Sequence, residues 1–135
     1  MPADLVKRVN LDLLYPPFVE RLLNLLAKAR ESGQDYYVIS GFRSHEEQQA
    51  LFELGRTKPG KKVTNAAAGL SAHNWGMAVD VAADNSNKPG LQPTWVLSKY
   101  TLLKNLGPTF DLQVGVPGLQ DEVNRKAFEA LSYLT

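Results

Sequence analysis

The sequence contains no cysteine. That removes disulfides, thiolate zinc ligands and cysteine nucleophiles together. Histidine is almost as scarce: His45 and His73 are the only two. A helical zinc-protease motif needs H-E-x-x-H, and His45-Glu46-Glu47-Gln48-Gln49 fails it because position 49 is Gln. Long apolar runs are also missing. No segment approaches the ~20 apolar residues that a membrane span needs, and MPADLVKRVNLDLLYPP lacks the apolar core of a signal peptide. The expectation is a protein made in the cytoplasm without a signal peptide. A bias of charge is absent too. The formal net charge of +1 writes in no pull towards nucleic acid or a membrane surface. No internal repeat or low-complexity segment is visible.

What remains is 135 residues with 44% hydrophobic content. A chain of this size buries roughly two-thirds of its unfolded surface, and residues 1–135 are expected to form a single domain. Pro16-Pro17 suits a helix start. Phe18, Leu22, Leu25, Leu26 and Ala29 follow at helical spacing, and Gly33 is a C-terminal stop. Asp35 to Ser40 is β-branched and aromatic and predicts a strand. Ser44 with Glu47 three residues on forms a capping box for a helix over His45 to Arg56, with Ala50, Leu51 and Leu54 inward.

Further on, Met77-Ala78-Val79-Asp80-Val81-Ala82 alternates as a strand does, with Met77, Val79 and Val81 on one face and Ala78, Asp80 and Ala82 on the other. Asp84 to Pro93 is a polar loop. Trp95, Leu97, Tyr100, Leu103 and Leu106 predict a helix ended by Gly107-Pro108, and Leu112 to Val116 a strand. Val123, Ala127 and Leu131 at four-residue intervals predict a final helix over Leu119 to Leu134. The fold class expected is α+β, a small and mainly antiparallel sheet with helices packed against it.

Asp80 is the residue that asks for chemistry. A buried carboxylate is costly unless a cation, donors or water meet it. Its two alanine neighbours leave room, and His73 lies seven residues upstream across a glycine turn. By themselves these two residues read either as a satisfied structural pair or as half of a metal site.

The surrounding pattern is denser. Ser71, His73, Gly76, Ala78 and Asp80 match S-x-H-x-x-G-x-A-x-D. This resembles the zinc signature of the D-Ala-D-Ala carboxypeptidase-like metallopeptidases, and more narrowly of their L-alanyl-D-glutamate peptidase branch, which includes phage endolysins and bacterial cell-wall hydrolases. Ser40-Gly41-Phe42-Arg43-Ser44 and Glu47-Gln48 resemble the family's S-G-[YF]-R-S and E-Q. The likeness is continuous from Ser40 to Val81, roughly a third of the chain.

The resemblance implies a zinc-dependent peptidase cutting the L-Ala–D-Glu bond of peptidoglycan stem peptides. It implies His73 and Asp80 as zinc ligands, Ser71 and Arg43 as groups on the substrate side, and action on the cell wall after release. The family's third ligand is a histidine in a C-terminal D-x-P-H, whose Asp is the catalytic base. Here the sequence departs, because no histidine follows His73. In Gln120-Asp121-Glu122-Val123-Asn124, Asp121 falls on the base and Asn124 on the ligand. The proline is gone, and Val114-Gly115-Val116 replaces the family's Trp-Gly-Gly. A neutral amide is a poor zinc ligand, so weak zinc affinity is expected. A degenerate relative that binds wall peptide, or another partner, without cutting it is the alternative. A glycosidase working through Asp80 and Asp121 has only the two acids in its favour.

Overall fold

The computed structural model describes residues 2–115 and the backbone of residues 128–132. Three α-helices are present among these: α1 (Pro16–Glu31), α2 (His45–Glu53) and α3 (Thr101–Leu106). Five strands accompany them: β1 (Tyr36–Ser40), β2 (Ala78–Asp84), β3 (Pro93–Thr94), β4 (Leu112–Gly115) and β5 (Phe128–Ser132). The sheet runs β1-β2-β5-β4, with β3 paired to the far end of β2, and every pairing is antiparallel.

Pro16 and Pro17 open α1, as their missing N–H groups allow. The five apolar positions at helical spacing, Phe18 to Ala29, are all fully buried. They pack in one core with Val38, Val79, Val81, Leu103 and Leu112. The chain turns away at Gly33, whose φ of 96° suits glycine. Arg30 then ties the helix end to its surroundings through Asp4 and Asp35.

The helix expected over Trp95 to Leu106 is split. A 3-10 turn covers Leu97–Tyr100 before α3 begins. Tyr100 and Leu103 are buried as expected, but Trp95 and Leu97 are exposed. Trp95 instead stacks on the Tyr100 ring, with centroids 6.5 Å apart. In α2 the inward residue is Gln48, fully buried, whereas Ala50 is exposed. The final helix expected over Leu119 to Leu134 does not hold for residues 128–132, which form β5 between β2 and β4. Spacing of four suited a helix there, but the pairing edges left open by two other strands win over local pattern. The rest of that expected helix lies outside the described residues.

The register of β1 slips at one position. Tyr36, Tyr37 and Val38 face Ala83, Ala82 and Val81 in step, but the next partner of β2, Asp80, meets Ser40. Ile39 is the extra residue of a β-bulge. Without it, an isoleucine would stand opposite Asp80; the bulge re-aims the strand so that a hydroxyl does.

Candidate active site

Directly opposed residues share a face of the sheet, so Ser40 stands beside Asp80. The Ser40 hydroxyl donates to Asp80 Oδ2. The turn that follows β1 brings Arg43, whose Nη2 lies 3.8 Å from the same oxygen. Arg43 is aimed by Gln48, which accepts from its Nη1 at 2.8 Å. Gln48 is fixed in turn by donating to the Ala66 carbonyl at 2.7 Å. A buried amide with these partners is satisfied, which explains a polar residue on the inner side of α2.

His73 arrives from the other side. It sits in a 3-10 turn, Ala72–Trp75, capped by Ser71, whose hydroxyl accepts from the His73 N–H at 3.2 Å. Asn74 stitches this turn to the Arg43 turn. Its Nδ2 donates to the Arg43 carbonyl at 2.9 Å, while its Oδ1 accepts from Gly69 and Ser71 N–H. Gly76 then closes the turn with φ of 68°, and a Cβ there would meet the Leu13 carbonyl oxygen at 2.7 Å. Ala78 is fully buried. Each fixed position of the signature therefore has a local physical reason: a cap, a ring, a left-handed glycine under backbone, a small buried residue and an acid.

The His73 ring is 1% exposed. Its Nδ1 lies 2.9 Å from the Gly41 carbonyl. A carbonyl only accepts, so Nδ1 carries the hydrogen and Nε2 is turned to Asp80 Oδ1, 3.5 Å away. That gap is long for a direct N–H to O bond, which prefers about 2.7–3.2 Å. It suits two donors on one small cation. Atoms bound at about 2.1 Å with tetrahedral angles stand roughly 3.4 Å apart. Holding the second ring nitrogen on a carbonyl is also how metal-binding histidines are oriented. Burial pushes the Asp80 carboxyl up, but His73 when its ring carries both protons, the Ser40 hydroxyl and the Arg43 charge outweigh it and hold it below the usual carboxylate range. It is an anion at neutral pH and suited to a cation.

The described residues thus bring together Arg43, His73 and Asp80, with Ser71 behind His73. Asp121 and Asn124 lie outside the described residues. No group of three or more His, Asp and Glu suited to a metal occurs among the described residues. An imidazole nitrogen and a carboxylate are donors of the kind zinc takes, and catalytic zinc typically has three protein ligands. His45 is exposed in the first turn of α2, edge-on to the Trp75 ring at 5.4 Å. Gln48 and Asn74 are the positioning residues that sequence reasoning undervalued; the signal was an amide at an inward position in one case and within the signature in the other.

A buried histidine in a 3-10 turn meets a half-buried aspartate of an antiparallel sheet, beside a turn that carries an arginine. The chain belongs to the VanY family, D-alanyl-D-alanine carboxypeptidases, which residues 12–126 match. It is 44% identical over 69 residues to the peptidoglycan L-alanyl-D-glutamate endopeptidase CwlK of Bacillus subtilis (strain 168). That stretch is 51% of this chain and 41% of CwlK, so the likeness spans less than half of that relative.

Among solved structures, a mutant of the vancomycin-resistance D,D-pentapeptidase VanY from a VanB-type cassette, in complex with Zn(II), is similar at a TM-score of 0.61 and 22% identity. The match covers 88% of this chain and 72% of that one. DacB from Streptococcus pneumoniae D39 is similar at 0.58 and 21%, covering 93% and 71%. These two share the fold. No helix among the described residues is long and apolar enough to cross a membrane.

Proposed function

We propose that the chain is a zinc-dependent peptidoglycan peptidase acting on the L-Ala–D-Glu bond of stem peptides. The observation that carries this reading is the His73–Asp80 pair, with Nδ1 held by Gly41 and Nε2 set 3.5 Å from the carboxylate. The relative named for this bond, CwlK, supports the choice of substrate. His73 and Asp80 would hold the metal. Zinc, when bound at such a site, supplies Lewis acidity and lowers the pKa of a water to about 7.

The rest of the work falls to the chain's own side chains. Arg43, held by Gln48, offers a guanidinium at the edge of the site, suited to a substrate carboxylate or to developing negative charge. Ser71 and Asn74 keep His73 in place. Asp121 is proposed as the base that accepts a proton from the attacking water and passes it to the leaving amine. Asn124 is proposed at the position of the third ligand.

The absence of any histidine after His73 favours a second reading, a relative that binds wall peptide without cutting it. Mass spectrometry of purified stem peptide after incubation with zinc-loaded protein separates the two. The peptidase reading expects new L-Ala and D-Glu termini, with Asn124→His raising both zinc affinity and cleavage. Peptide binding without cleavage, unaltered by Asn124→His, establishes the second reading.

A further inference from the structure

A cavity of about 250 Å³ opens between the N-terminal segment and the end of β1. Its walls include Arg8, Asn10 and Leu13 from the N-terminal segment and Ser40, Gly41 and Phe42 from the turn after β1. Two of these already belong to the site: Ser40 donates to Asp80, and Gly41 accepts from His73. The cavity is therefore linked to the His73–Asp80 pair through these two shared wall residues.

Its charge comes from Arg8. The guanidinium lies 4.9 Å over the Tyr37 ring. Tyr37 pairs with Ala82, and Ala82 shares a strand face with Asp80 two residues away, a separation of roughly 6.6 Å. Arg8 thus stands on the same face of the sheet as Asp80. No ion pair joins Arg8 to an Asp or Glu among the described residues. The ring below fixes a flat cation while leaving its N–H edge for a ligand. Asn10 adds amide donors, and Leu13 and Phe42, both partly exposed, give an apolar rim. Arg8 precedes the stretch matched to the family, so its role belongs to this chain.

We propose that this cavity is a carboxylate subsite, with Arg8 holding one acid group of an acidic peptide whose other acid group meets Arg43. The proposal rests on the wall-peptide reading. A residue with two carboxylates, such as a terminal glutamate, is the ligand that would engage both guanidiniums. Neutral peptides of the same shape fill the cavity without satisfying Arg8.

Calorimetric titration of the full chain with N-acetyl-L-Ala-D-Glu and its two monoamides tests this, with a chelator present so that the peptide is not turned over. Arg8→Gln is expected to weaken the diacid about tenfold. One monoamide is expected to bind the unaltered chain as weakly and to be indifferent to Arg8→Gln, the coupling that a direct contact produces. Arg8→Lys, which keeps charge without the fork, falls between. It also serves if Arg8→Gln melts early. Equal diacid binding by wild type and Arg8→Gln, or equal weakening of diacid and both monoamides, overturns the subsite alone. No binding of any of these peptides by the unaltered chain overturns the subsite together with the wall-peptide reading.

Discussion

The two faces of β2 differ in kind. Val79, Val81 and Ala83 are fully buried in the core with α1 and Tyr36. Ala78 and Ala82 are as deeply buried, but between them stands Asp80, half-buried and met by a hydroxyl, an imidazole and a guanidinium. One strand thus carries only apolar residues on one side, and on the other an acid with polar partners set among apolar neighbours. The alternation of period two is what makes this separation possible. It implies that stability and ligand binding can be altered independently.

The largest expected effect breaks the packing face. Phe18→Ala is expected to cost about 3–5 kcal/mol of stability by denaturant unfolding, while zinc binding persists wherever the variant is still folded. Loss of zinc binding in the folded variant would mean that the faces are coupled.

Next is the polar anchor at the far end of β2. The Tyr100 hydroxyl accepts from Ala83 N–H at 2.9 Å and donates to the Thr94 carbonyl at 2.7 Å. Tyr100→Phe strands both and is expected to cost about 1–3 kcal/mol. Burial pushes the phenol up from its ordinary value near 10.0 to about 12. A raised folded pKa means that its contribution is complete below pH 10 and is lost as pH climbs towards 12. Unfolding measured across that range is expected to show a shallower alkaline decline in Tyr100→Phe. An identical decline would assign it to other groups.

On the chemical face the expected stability changes are small. Asp80→Asn keeps an acceptor for Ser40 and is expected to change metal-free stability within about 1 kcal/mol, yet to lower zinc affinity by at least tenfold in a dialysis assay. A large loss of stability would recast Asp80 as a structural ion-pair member. Arg43→Lys is the mildest change for the fold. It retains charge but loses the planar fork held by Gln48, so stem-peptide affinity is expected to fall severalfold at unchanged melting temperature. Equal affinity removes Arg43 from the site.

The sequence made the packing face of α1 and the alternation of β2 readable because burial there follows a simple period. The Ser71 to Asp80 pattern was readable through its resemblance to a family signature, and the structure supplies the local reasons of turn, cap and space. The bulge at Ile39 was not, since it exists only in the register with β2. Gln48 was passed over for Ala50 because a buried amide is recognisable only with its partners, Arg43 and Ala66, in place. Residues 128–132 were read as helix because a short apolar run fits both periods, and strands distant in sequence decide between them.

In the proposed site, His73 and Asp80 face each other across a cation position. Calorimetric zinc titration of the full chain against His73→Ala tests it most directly. Saturable binding of one zinc per chain is expected, weakened at least tenfold by the substitution. Zinc binding of equal strength in His73→Ala, or none in the unaltered chain, would contradict it.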